Sequence, residues 1–172
     1  MKPVLVCDFD DVIVPTLNYA VRLCNRENGT NFKVEDFKEW DVSKVYKDFT
    51  KYFYQIDFTK IQDKLNAVYY LEKLSHTFEI IIAMASHVDK FKEKEIWIKK
   101  NMPFVKHENI MLVKNKSVLR GDIFIDDSIH NFGGEFKLKL LYNTPANANF
   151  EVKGSVRISD LSEVADCWAE RI

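Results

Sequence analysis

Asp8 and Asp10 stand two residues apart where the apolar run Val4-Leu5-Val6-Cys7 gives out. Side chains of an extended chain alternate faces at about 3.3 Å per residue, so the two carboxylates would share one direction while Cys7 and Phe9 take the other. A second acidic pair, Asp126-Asp127, closes another apolar run, Ile123-Phe124-Ile125. In open α/β sheets ligands bind beyond the carboxyl ends of the strands, where both runs place their acids. Side by side, the two strand ends would crowd four carboxylates. Each like-charge pair at about 4 Å costs about 4 kcal/mol at an effective dielectric of about 20. Such a cluster demands protons or a cation, and a hard divalent ion is the simplest partner. Solvated acids or caps of the next segment would explain one pair well and two pairs poorly.

The residues around these pairs resemble the haloacid dehalogenase-like phosphatases. Asp8-Phe9-Asp10-Asp11-Val12 resembles their first motif and Asp126-Asp127 their fourth, with Ser86 and Lys116 between them in the order of the second and third. One branch is closer still, the 5′(3′)-deoxyribonucleotidases of the cytosolic type. The likeness is carried by Asp10-Asp11-Val12-Ile13-Val14, Trp40-Asp41-Val42-Ser43-Lys44, Lys116-Ser117 and Gly121-Asp122-Ile123-Phe124-Ile125-Asp126-Asp127, and it runs along most of the chain.

The resemblance implies chemistry through an aspartyl-phosphate. Asp8 would be the nucleophile, and Asp10 would protonate the leaving alkoxide and later deprotonate the attacking water. Magnesium would be held by Asp8, by the backbone carbonyl at Asp10, by Asp127 directly and by Asp126 directly or through water. Oxygen-only ligands suit magnesium better than zinc. Lys116 would neutralise the phosphate and the nucleophile, with Lys114 competing for the place. The second motif departs from the family pattern, in which a serine or threonine ends the second strand; that register puts Met84 there. A thioether cannot donate a hydrogen bond to phosphate, so Ser86, two residues on, is the nearest hydroxyl that can.

The substrate implied is a small phosphomonoester, foremost a deoxyribonucleoside 5′-monophosphate. Trp40, Tyr46 and Phe49 are candidates for its pocket, because aromatic faces stack on bases for about 1–3 kcal/mol each. Packing a small hydrophobic core is the other use of such rings.

Periodicity supplies the elements that must position these groups. Pro15 and Thr16 open a helix to about Glu27, with Leu17, Ala20, Val21 and Cys24 on one face and Gly29 as its stop. From about Phe32 to Phe58, short helices and turns crowded with aromatics read as a cap over the strand ends. Thr59-Lys60-Ile61-Gln62 has the capping-box pattern, and Ile61, Leu65, Val68, Leu71 and Leu74 continue a helix from it. Phe78 to Met84 reads as a strand covered on both faces, and Asp89 to Lys100 as a charged helix. Strands follow at Ile110–Val113, Ile123–Ile125, Leu138–Tyr142 and Val156–Ile158, then a helix capped at Asp160 that runs to the end. The prediction is a three-layer, Rossmann-like α/β fold with a mainly parallel sheet and a small helical cap inserted after the first strand. Core residues would be 1–15 and 75–172, and the cap 16–74.

Composition narrows the partners. A chain of 172 residues that is 47% hydrophobic suits one domain with a small insertion. Its 25 basic and 26 acidic residues are mixed along the chain, leaving no basic stripe for a long nucleic acid. Cys7, Cys24 and Cys167 are too dispersed for a disulfide framework or a zinc site. Met1-Lys2-Pro3 does not open a signal peptide and no run approaches the roughly 18 apolar residues of a membrane span, so a cytoplasmic location is expected. A homodimer is compatible with these features. Three rival readings stand beside the first: a related phosphatase for another small phosphoester, a receiver-like signalling domain, and a nucleotide-binding member without turnover, toward which Met84 points.

Overall fold

The structure, a computed structural model, describes residues 2–171. Six strands form one all-parallel sheet in the order β3-β2-β1-β4-β5-β6. They are β1 (Val4–Cys7), β2 (Glu79–Met84), β3 (Ile110–Leu112), β4 (Arg120–Asp126), β5 (Glu135–Tyr142) and β6 (Ser155–Ile158). The helices are α1 (Thr16–Asn28), α2 (Lys51–Gln55), α3 (Ala67–Ser75), α4 (Val88–Asn101) and α5 (Val164–Ala169). The last helix stops short of the expected chain end.

Continuous apolar runs fall on the central strands because both faces of a parallel sheet are covered. Leu5, Cys7, Ile82, Ile123 and Ile125 face one hydrophobic cluster, which also takes side chains from all five helices. Val6, Ala83, Phe124 and Leu141 face a smaller cluster closed by Val113, Leu119, Ile129 and Phe132. The three expected layers are therefore unequal, since the second face is covered by short connections with single 3₁₀ turns. Right-handed crossovers explain this arrangement. Steps from β1 to β2 to β3 run one way along the sheet and carry helices, while the return through β4, β5 and β6 runs the other way on connections too short for one.

Between β1 and β2 lies the small helical insertion. Its rings pack mainly on one another: Phe37 and Phe49 have centroids 4.4 Å apart, and Tyr52 and Phe53 meet Phe49 edge-on at 5.7 and 5.6 Å. Gly29, at φ 65°, ends α1 in the left-handed conformation that only glycine adopts without strain.

The helix expected from Thr59 does not form. Thr59 sits inside a 3₁₀ turn, Phe58–Lys60, with its amide and hydroxyl on Asp57, and α3 begins only at Ala67. Lys64 is the reason: its amide donates to the Ile13 carbonyl at 2.7 Å and its ammonium to the Asp11 carbonyl at 2.8 Å. Those long-range bonds tie the segment to the loop after β1, and Leu65 and Asn66 follow in a turn at φ 43° and 62°, outside right-handed helical backbone. Leu65, 65% exposed, belongs to no buried helix face, so its periodic place was a coincidence.

Candidate active site

The register Cys7↔Ile125 makes β1 and β4 neighbours, and the Asp8 amide donates to the Ile125 carbonyl at 2.9 Å. Asp8 and Asp126 thus leave the sheet side by side. One carboxylate oxygen from each of Asp8, Asp126 and Asp127 lies within 4.8 Å of the others, and all three residues are buried. Lys116, 1% exposed, reaches this cluster from the 3₁₀ turn Lys116–Val118. Its Nζ lies 2.6 Å from Asp8 Oδ1 and 2.7 Å from Asp126 Oδ2. Lys114, by contrast, is exposed. Asp126 also accepts from the Ser128 amide at 2.8 Å and from Asn131 Nδ2 at 3.0 and 3.1 Å, while Asn147 Nδ2 donates to the Asp127 carbonyl at 2.7 Å.

One ammonium against three carboxylates leaves negative charge uncompensated. Burial pushes Asp8 up to about 7 despite Lys116, with Asp126 and Asp10 adding to the rise. Burial likewise lifts Asp127 well above the usual carboxylate range, helped by Asp11, Asp126 and Asp8. Burial works against the Lys116 ammonium, but Asp8 and Asp126 outweigh it and hold the group above its ordinary value. An oxygen-only donor set with surplus charge fits a divalent cation.

Asp10 does not join this cluster. β1 ends at Cys7, and the chain closes into a tight loop in which the Ile13 and Val14 amides both donate to the Phe9 carbonyl and Asp11 takes φ 54°. The extended alternation that would aim Asp8 and Asp10 together has stopped by then. Asp10 instead accepts from Thr16 Oγ1 at 2.7 Å and from Lys94 Nζ at 2.5 Å. It lines a cavity of about 280 Å³ that also contains Ser86, Phe53, Tyr54 and His87. Met84 is fully buried as the last residue of β2, and Ser86 lies in the loop beyond it, half-buried on that cavity wall. The strand does not continue to carry Ser86 on its face.

The three aromatic candidates separate. Trp40 lines a second cavity of about 370 Å³ beside Asp11, Lys64, Asp127 and Thr144. Phe49 is 0% exposed in the insertion's own core and offers no face to a ligand. Tyr46 packs on Phe32 and donates its hydroxyl to Asn28 Oδ1 at 3.0 Å, and it lines neither cavity. Aromatic spacing alone cannot tell these fates apart, because burial depends on which rings meet in the folded insertion: Phe49 packs on Phe37, Tyr52 and Phe53.

Lys94, Thr16, Asn131 and Lys64 are the site residues that sequence reasoning passed over. For Lys94 a signal existed: it stands three and four residues before Trp97 and Ile98, the buried face of α4. A lysine on an apolar face needs an acid partner. Asn131 carried no comparable mark.

A parallel sheet whose two central strands end in acids, with a buried lysine shared between them, defines a haloacid dehalogenase-like hydrolase. A putative hydrolase of that superfamily from Bacillus subtilis, solved bound to magnesium, shares the fold with a TM-score of 0.57 and 12% identity, covering 96% of this chain and 97% of that one. The family model described as "5' nucleotidase, deoxy (Pyrimidine), cytosolic type C protein" matches residues 2–170, and the chain belongs to that family of nucleotide phosphatases. A 5'(3')-deoxyribonucleotidase of Bacillus subtilis is 27% identical over 87% of this chain and 90% of that protein. One from Clostridium acetobutylicum is 30% identical over 85% of this chain and 84% of that protein. No helix among the described residues is long and apolar enough to cross a membrane.

Proposed function

We propose that this nucleotidase hydrolyses deoxyribonucleoside 5′-monophosphates by two in-line displacements on phosphorus, with Asp8 as nucleophile. The observation that carries the assignment is Lys116, which holds Asp8 by one oxygen beside Asp126 and leaves the other oxygen to attack. In the first displacement the Asp8–phosphorus bond forms, the ester bond breaks, and the Asp10 carboxyl gives its proton to the departing 5′-oxygen. In the second, water attacks phosphorus, Asp10 takes its proton, and inorganic phosphate leaves with Asp8 restored.

Asp8, Asp126, Asp127 and the Asp10 carbonyl would hold magnesium, with Asp127 the direct ligand of the fourth motif. The ion would supply charge neutralisation for the carboxylates and the phosphoryl oxygens. Lys116 adds a fixed positive charge at the nucleophile, and Ser86 would donate a hydrogen bond to phosphate from the Asp10 cavity in place of the residue that Met84 displaces.

The cap, taken as residues 16–74, would receive the nucleoside against Trp40. A buried polar atom with no partner among the described residues, Trp40 Nε1, borders the cavity beside Asp127. A buried polar atom left unpaired costs about 1–3 kcal/mol, which acceptor atoms of a nucleoside would relieve. Phosphate release from deoxy- and ribonucleotides and sugar phosphates, with and without magnesium, tests the proposal against Asp8→Asn. Magnesium-dependent release from deoxynucleotides that Asp8→Asn abolishes supports it; release from sugar phosphates alone overturns the substrate.

A further inference from the structure

We infer that Lys94 is a positioning residue for Asp10, aiming its carboxyl group at the leaving oxygen. The inference rests on the proton-transfer role proposed for Asp10. Lys94 lies mid-helix in α4 and is only 4% exposed. Its Nζ donates to Asp10 Oδ2 at 2.5 Å and lies 4.5 Å from the centroid of the Phe58 ring and 5.8 Å from that of Phe9. A buried ion pair is weak evidence for stability, since apolar side chains of similar volume pack as well or better. A methionine here would suit the face that Trp97 and Ile98 already form. The charge therefore has work beyond packing, and among the described residues its one carboxylate partner is Asp10.

The geometry shows what that work is. Asp10 sits in the loop after β1, where no strand ladder orients its side chain. Orientation must come from contacts, and there are two: Thr16 at the start of α1 holds Oδ1, and Lys94 from α4 holds Oδ2. With one donor on each oxygen, the carboxyl plane cannot turn without losing a bond. Lys90, one turn earlier, cannot substitute, because its ammonium is committed to Glu93 and the Ile56 carbonyl. Lys64 is likewise committed to the Asp11 carbonyl and lines the other cavity. Asp10 and Lys94 line the same cavity as Ser86, so the pinned carboxyl group borders the space into which the proposed function places the phosphate-binding hydroxyl.

The test uses the leaving group. p-Nitrophenolate departs without a proton, whereas a nucleoside alkoxide requires one. Single-turnover release of alcohol from a deoxyribonucleoside 5′-monophosphate and from p-nitrophenyl phosphate would be measured for the native enzyme, Asp10→Asn and Lys94→Met. Methionine keeps the apolar stem between the two rings. General acid catalysis contributes about 10²–10⁴-fold, and losing its aim should forfeit about 10- to 100-fold on the nucleotide and less than about threefold on p-nitrophenyl phosphate, at unchanged KM. Equal slowing of both esters, or a loss confined to KM, would overturn the inference, since a merely structural or substrate-binding lysine would act that way. Asp10→Asn that slows both esters equally would instead remove the acid role itself. Should Lys94→Met not fold, Lys94→Leu carries the same comparison, an apolar side chain that likewise removes the donor to Asp10 Oδ2.

Discussion

Replacing Asp8 by asparagine should abolish turnover and stabilise the metal-free protein. Burial raises the Asp8 pKa from 3.8 to about 7. A folded-state value above the unfolded one means that the stability this group contributes is fully present below about pH 4 and lost as pH rises through about 7. Each pKa unit corresponds to about 1.4 kcal/mol, so the ionised carboxylate costs on the order of 4 kcal/mol at pH 8. Asparagine keeps the shape and removes the charge. In a domain of this size about 1 kcal/mol moves Tm by about 2–4 °C, so Asp8→Asn should melt about 8–16 °C higher at pH 8 in a chelator. The advantage should shrink steadily below pH 7 and vanish near pH 4. Magnesium at pH 8 should raise the native protein's Tm and the variant's far less, because binding to the folded state alone stabilises it. Calorimetric melts across pH 4–8, with chelator and with magnesium, read all of these. A variant that melts lower than the native protein at pH 8 in chelator, or a difference that does not change with pH, would refute the reasoning.

Lys116→Met should leave Asp8 and Asp126 buried without their shared cation, costing about 3–5 kcal/mol in chemical denaturation at pH 8 and eliminating activity. Trp40→Ala should raise KM for nucleotides with little change in melting, whereas Phe49→Ala should lower stability by about 3–5 kcal/mol in the same denaturation assay, because only the second empties a packed core. Gly134→Ala would place a Cβ 2.6 Å from the Leu119 carbonyl oxygen and 3.3 Å from that of Lys116. The turn carrying Lys116 must shift, so kcat should fall together with a stability loss of about 1–3 kcal/mol, measurable by steady-state kinetics and melting.

Much of the scaffold was legible because it follows from local rules. Apolar runs that end in acids became β1 and β4, α1 stopped at Gly29, and the crowding of Asp8 with Asp126 and Asp127 followed once those strands paired. The choice of Lys116 over Lys114 needed the resemblance as well, since nothing local distinguishes two lysines in one loop.

What only the tertiary structure decided involves partners distant in sequence. Asp10 meets Lys94 across 84 residues, and no periodicity encodes that pairing. The start of α3 moved from Thr59 to Ala67, since Lys64 bonds back to Ile13 and Asp11 and the two residues after it turn at positive φ, contacts and backbone that a local capping pattern does not reveal. Phe49 and Trp40 looked alike in sequence, yet one closes the insertion's core and the other faces a cavity, since burial depends on which surface each ring meets. Local sequence sets which groups can be strand, helix or acid; long-range packing sets which of them touch, and the site is built from those that touch.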